Sequence, residues 1–126
     1  MSEQILTLDQ LMALPEAKAV TKEVAVPGWP GKVVIRQYSL LDQREMRAAA
    51  LREDGSIDWA ELDAQYLHRG LVEPAVTLEQ ARQLLRTQYG PLEFLLTEIV
   101  AFSGLALTGE LSAKAVADAE RRFRKR

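Results

Sequence analysis

The spacing of apolar residues along the chain predicts a protein built mainly of α-helices. Thr7-Leu8-Asp9-Gln10 has the pattern of a capping box, in which each of the two end residues bonds through its side chain to the backbone of the other. It starts a short helix that Pro15 bounds. Further along, apolar residues recur every three or four positions and predict helices at about 39–53, 59–71, 77–89, 91–103 and from Ser112 onward.

Two segments before residue 39 have the composition of β-strands. Residues 20–26 alternate between two faces, residues 27–31 are dense in glycine and proline, and residues 32–38 are rich in β-branched and aromatic side chains. This order predicts a β-hairpin, which is the only convincing strand signal in the chain. Because an isolated hairpin is marginally stable in water, we expect it to lie against the helices or to extend a sheet with another chain.

The predicted fold class is therefore mainly α (α+β), with about five to six helices and one β-hairpin at approximately 20–38. A chain of 126 residues is long enough for one domain with its own core. We expect a single domain over 1–126. Its parts are an N-terminal helical segment, the hairpin, a helical core and a C-terminal helix with a basic end, at 1–19, 20–38, 39–105 and 106–126.

The helices differ in the faces that they offer for packing. The helix at 91–103 is the most apolar and is expected to be central. Trp59 is expected in the core. In the helix that follows Ser39, the alanines at 48–50 offer a thin surface for close helix approach, and one face is shared by Leu41, Arg44, Glu45, Ala48 and Leu51.

Charge is unevenly distributed along the chain. Five of the last six residues are basic, so residues 1–120 carry a formal net charge of −7 although the whole chain carries −2. The basic end either complements the dipole of a last helical turn or contacts an acidic protein surface. Nucleic-acid binding is the less favoured alternative, because no basic or aromatic residues elsewhere extend the patch.

The residue types needed for most catalytic and cofactor chemistry are sparse. The chain has no cysteine and one histidine, His68, so thiolate metal sites, disulfides, cysteine nucleophiles and polyhistidine sites are excluded. Gly28 and Gly31 lie in a turn that precedes a strand, whereas a phosphate-binding loop follows one. We expect no cofactor, no metal and no enzymatic activity. No apolar stretch approaches the length of a membrane span, and residues 1–4 lack the start of a secretion signal.

Trp29 is the most informative single side chain of the hairpin. It lies between Gly28 and Pro30 at the predicted tip. A tryptophan at such a place either folds back over the hairpin or acts as a binding anchor for a partner. Both alternatives stay open at the level of the sequence.

Five segments of the chain follow one another in a recognisable order. They are a tryptophan-bearing hairpin, a serine-capped helix, a valine-glutamate-proline exit, a second capped helix start and a serine-glycine-leucine helix end. They occupy residues 24–36 (VAVPGWPGKVVIR), 39–45 (SLLDQRE), 71–74 (LVEP), 77–81 (TLEQA) and 99–105 (IVAFSGL). Taken in this order, they resemble the tail assembly chaperones of long-tailed bacteriophages. The resemblance covers most of the chain, and it depends on the order and spacing of the motifs more than on any one of them.

The resemblance implies a non-enzymatic protein of the host bacterial cytoplasm that is absent from the mature virion. In that family, a short product and a longer frameshifted product bind the tape-measure protein, keep it soluble and recruit tail-tube subunits. We also expect homo-oligomers. The alternatives are a small structural tail or connector adaptor and, less favoured, a nucleic-acid-binding regulator. The residues expected to bind a partner are Trp29, Val116, Arg121, Arg122, Phe123 and Arg124.

Overall fold

The computed structural model describes residues 5–104, which form five α-helices and one antiparallel sheet. The helices are α1 (Leu8–Met12), α2 (Leu40–Ala49), α3 (Trp59–Gly70), α4 (Leu78–Leu84) and α5 (Tyr89–Ser103). A 3₁₀ turn, Ala17–Ala19, precedes strands β1 (Thr21–Ala25) and β2 (Lys32–Arg36), and β3 (Leu71–Glu73) follows α3. The predicted fold class is confirmed. The helix predicted from Ser112 onward lies outside the described residues.

The sheet has three strands in the order β1-β2-β3: the predicted hairpin, β1–β2, is present, and a third strand that the sequence does not predict pairs with it. Val24 pairs with Val33 across the hairpin, and Ile35 pairs with Leu71 on the other side of β2. The third strand is too short for an alternating pattern, and its sequence continues directly from a helix, so local periodicity could not indicate it. Pairing with β3 makes β2 the central strand, and α5 packs against it.

Local capping chemistry sets most helix starts where the sequence predicts them. Thr7, Ser39 and Thr77 each form a reciprocal capping box, and the Asp58 carboxylate accepts from the backbone N–H of Glu61. The boundary between α4 and α5 differs from the prediction. The former ends at Leu84, and the latter begins at Tyr89, so Pro91 is its third residue. Proline is tolerated there because the first N–H groups of a helix have no intrahelical acceptor.

The core lies where α3 and α5 pack together and against the sheet. Its fully buried side chains include Ile35, Met46, Leu62, Leu67, Leu95 and Ile99. One prediction about its members is wrong: Trp59, expected in the core, is 47% exposed and lies beside the exposed Ala60 at the start of α3. In α2 the buried residue is Met46, and Ala50 directly after the helix is buried as well. Leu41 and Leu51, which the sequence places on one shared face, point to solvent.

The end of α3 is closely packed against neighbouring side chains. A Cβ atom at Gly70 would stand 2.5 Å from Tyr38 Oη and 3.0 Å from Ile99 Cγ2. The Tyr38 hydroxyl donates to the Tyr66 backbone carbonyl, and the two rings stack with their centroids 5.9 Å apart. A glycine at this position therefore allows the end of α3 to approach Tyr38, which follows β2, and Ile99 of α5.

A charged cluster holds the start of α2 to the same region. Arg36 Nε donates to the backbone carbonyl of Arg69 at 2.7 Å, and Arg36 Nη1 pairs with Asp42 Oδ2 at 3.1 Å. Arg69 Nη1 bonds to Glu45 Oε1 at 2.9 Å. Burial would raise the pKa of the Asp42 carboxyl, but hydrogen bonds from Arg36 and Ser39 outweigh burial and lower the pKa to about 2.

Substituting Gly70→Ala is expected to lower the free energy of unfolding by about 1 to 3 kcal/mol, because the new methyl group overpacks the junction with Tyr38 and Ile99. Urea denaturation followed by circular dichroism measures the effect. Gly90→Ala is the matched control. It lies in the first turn of α5, where an added Cβ would have no heavy atom within 4 Å, so alanine should leave stability unchanged or raise it by up to about 1 kcal/mol. Equal effects at the two positions would contradict the packing argument.

Candidate partner-binding surface

An exposed apolar segment precedes the sheet. Residues 5–14, here called the N-terminal apolar segment, contain six large apolar side chains whose exposed fractions run from 48% to 94%. None of the residues of α1, which lies within this segment, is buried. Large apolar side chains exposed so close together in sequence make this segment a candidate interaction surface. The six side chains are Ile5, Leu6, Leu8, Leu11, Met12 and Leu14.

A second exposed apolar surface lies on α2 and the residue pair after it. Met46 and Ala50 point inward, and helical periodicity turns the opposite side to solvent. That side, here called the α2 stripe, consists of Leu40, Leu41, Arg44, Ala48 and Leu51, all of which are exposed. The stripe contains four of the five residues that the sequence places on one shared face. The sequence correctly predicts that these four residues share a face, and the structure shows that this face is exposed to solvent.

The chain after the N-terminal apolar segment is placed beside the start of the α2 stripe. Ala17 and Lys18 line a cleft of about 260 Å³ together with Ser39 and Asp42, the cap and third residue of α2. Leu40 follows Ser39 directly. The segment therefore leaves the folded part of the protein at the same end of α2 that carries the two exposed leucines.

Each of the two surfaces contains one charged residue without an ion-pair partner among residues 5–104. On the N-terminal apolar segment this residue is Asp9, since Thr7 and Gln10 bond to each other's backbone. On the α2 stripe it is Arg44. Glu45, at the edge of the stripe, is already held by Arg69. The segment thus offers an apolar surface with an acid, and the stripe an apolar surface with a base.

The structure places Trp29 half-buried against the core, which is the folded-back alternative. The backbone N–H of Trp29 donates to the Val26 carbonyl. The neighbouring Gly28 has a φ of +91°, and a Cβ atom there would lie 3.6 Å from Pro91 Cγ. That Trp29 binds a partner stays a prediction.

The other residues expected to bind a partner lie outside the described residues: Val116, Arg121, Arg122, Phe123 and Arg124. Sequence reasoning missed the N-terminal apolar segment, although its six large apolar residues among ten were a visible signal.

Residues 5–104 hold no group of three or more histidine, aspartate and glutamate side chains arranged to bind a metal ion. His68 Nδ1 donates to the backbone carbonyl of Val76 at 2.8 Å, which ties α3 to the chain entering α4. Among the described helices, none combines the length and apolarity that a bilayer crossing needs.

One carboxyl group titrates close to neutral pH. Asp63 on α3 lies half-buried, and burial raises the pKa of its carboxyl to about 6, with a further rise from the negative charge of Glu93 on α5. A raised pKa means that the folded protein binds this proton more tightly than the unfolded chain. The free energy of unfolding therefore falls as the pH rises from about 3.8 through about 6, because the unfolded chain ionises this carboxyl more readily. Above that range, the free energy of unfolding stays lower by the same amount.

Substituting Asp63→Asn is expected to raise the free energy of unfolding by about 1 to 2 kcal/mol near pH 7.5 and to leave it almost unchanged near pH 4. The amide removes the charge that burial and Glu93 disfavour. Denaturant titrations at several pH values measure the difference. Glu53→Gln, at an exposed position, is the control and should show no such pH dependence. A constant difference between the Asp63→Asn variant and the wild type across this range would contradict the assignment.

Comparison of the chain with protein-family models, curated proteins and solved structures finds no match.

Proposed function

We propose that the protein is a bacteriophage tail assembly chaperone that binds the tape-measure protein, keeps it soluble and helps to recruit tail-tube subunits. The single structural observation that supports this proposal is the pair of exposed apolar surfaces beside a fully formed core. The order of motifs in the sequence, which resembles that chaperone family, supplies the identity of the client. The resemblance also supplies the expected place of action, the cytoplasm of the host bacterium.

A holding chaperone needs apolar surface that its own fold does not cover. Here the core is completed by α3, α5, the sheet and the inner side of α2, without the N-terminal apolar segment or the α2 stripe. A long helical client exposes apolar side chains at intervals of three and four residues, and the α2 stripe has the same spacing. Packing one against the other removes apolar area from water on both partners, at about 25 cal/mol per Å².

The stripe also suits reversible binding. Ala48 is small and exposed, so a second helix can approach closely there, whereas Leu40, Leu41 and Leu51 supply the apolar area. The stripe has five residues, whereas a stable interface of standard size involves about 20 to 30 residues on each side. A client held in this way can be released when tail-tube subunits assemble around it.

Co-expression with the tape-measure protein encoded beside this chain tests the proposal. The wild-type protein is expected to keep that protein in the soluble fraction and to copurify with it. If the wild-type protein does neither, the proposed function is wrong.

Leu40→Glu/Leu41→Glu is expected to lose this effect, because it charges the stripe without weakening the helix. Acidic residues are favourable in the first turn of a helix, so the variant should stay folded. Val72→Glu on β3 is the matched control, since it charges an exposed apolar position away from the stripe and should keep the wild-type effect. The soluble fraction of the client and its recovery with the tagged chain are the measurements. Full client binding by the Leu40→Glu/Leu41→Glu variant would show that the client binds elsewhere.

A further inference from the structure

We propose that the N-terminal apolar segment of one copy of this protein packs on the α2 stripe of a second copy, in a reciprocal pair. The contact involves no client, so it goes beyond the proposed function and stands or falls separately from it.

The first argument concerns what the N-terminal apolar segment lacks. The five-residue helix α1 has a complete capping box, yet none of its side chains is buried. A helix of this length is not stable in water on its own. The entropy lost in ordering its first turn exceeds the stabilisation that the few hydrogen bonds of one turn provide. A partner surface that covers Leu8, Leu11 and Met12 would supply the missing stabilisation.

The second argument is the match in side-chain spacing between the two surfaces. Leu8, Leu11 and Met12 are spaced by three and four residues and so lie along one side of α1. On the α2 stripe, Leu40, Arg44 and Ala48 recur every four residues along one side of α2. Rows of side chains at these spacings pack into the grooves between the rows of a partner helix.

The third argument is charge complementarity, which favours a second copy over an unrelated partner. Asp9 is the only charged residue of the N-terminal apolar segment, and Arg44 is the only charged residue of the α2 stripe. Neither has an ion-pair partner within residues 5–104. Each surface thus carries the charge that the other lacks, and complementary charges fix the orientation of an otherwise apolar contact.

The placement of the two surfaces allows the pair to close. Ala17 and Lys18 lie beside Ser39 and Asp42, so the N-terminal apolar segment starts from the same end of the molecule as the α2 stripe. Two copies related by a two-fold axis can then each give a segment and receive one, and the pair has no free surface to extend into a filament.

The edges of the sheet offer a poorer route to self-association. The edge strand β3 has only three residues. At the other edge, the antiparallel register with the greatest overlap of two β1 strands, Thr21–Ala25, places Glu23 directly opposite Glu23. Like charges in directly opposed positions destabilise strand pairing. Self-association through the helical surfaces meets no such repulsion.

Charge reversal tests the pairing in the full-length protein. Sedimentation velocity over a range of concentrations is expected to show dimers for the wild type. Asp9→Arg and Arg44→Glu are each expected to weaken the dimer about tenfold or more, because each places like charges together at both contacts. Circular dichroism confirms that the variants are folded, and Arg86→Glu, at an exposed arginine away from both surfaces, should leave the dimer unchanged.

Mixing the two variants separates pairing between copies from an effect within one chain. In an equimolar mixture of Asp9→Arg and Arg44→Glu, a mixed dimer has opposite charges at both contacts. One contact keeps the native Asp9–Arg44 pair and the other has the two charges in reversed order, so dimers should reappear more strongly than in either variant alone. A monomeric wild type at every concentration would overturn the proposal. So would single variants that dimerise as well as the wild type, or a mixture that stays as weak as its components.

Discussion

The fold depends on one close contact, in which the end of α3 meets Tyr38, two residues after β2, and Ile99 of α5. Gly70 allows this approach, and the Tyr38 hydroxyl uses the space to bond to the Tyr66 carbonyl. The chain then continues from Gly70 directly into β3, whose Leu71 pairs with Ile35. The position of the third strand is thus a result of the same contact that joins the helices. The salt bridges around Arg36 and Arg69 extend this junction outward to the start of α2.

Because the core is completed around this contact, two apolar surfaces have no role in the packing of residues 5–104. The N-terminal apolar segment and the outer side of α2 resemble core surfaces in composition, yet they lie in solvent. Exposing them costs solubility, and a protein retains such surfaces when they are covered part of the time. Under the two proposals made above, a client helix and a second copy of the chain would be alternative covers for the same α2 stripe. Self-association would then protect the surface between encounters with a client.

How far the sequence predicts this structure depends on the range of the interactions involved. Capping boxes at Thr7, Ser39 and Thr77 are local and are predicted correctly, as is the hairpin around its glycine-proline turn. The strand at Leu71–Glu73 escapes prediction because only pairing with β2, more than thirty residues away, makes it a strand. The exposure of Trp59 is predicted wrongly, and the buried side of α2 is not predicted at all, for a related reason. Periodicity shows which residues share a face, but which face is buried depends on the neighbours. The exposed segment at 5–14 could have been found by counting its apolar residues against the few that a short helix can bury.

The side chain of Asp42 has two structural roles at once. It completes the capping box of α2 and pairs with Arg36, so a single carboxylate determines whether the helix start is held in place. Its contribution is present at pH values above about 3.8 and disappears only as the pH falls toward about 2. Over the mildly acidic to neutral range, Leu40 and Leu41 are therefore presented on a pre-ordered scaffold. Because that turn is already ordered, binding a partner does not include the loss of entropy that ordering it would cause. A small apolar contact can therefore be specific without being permanent.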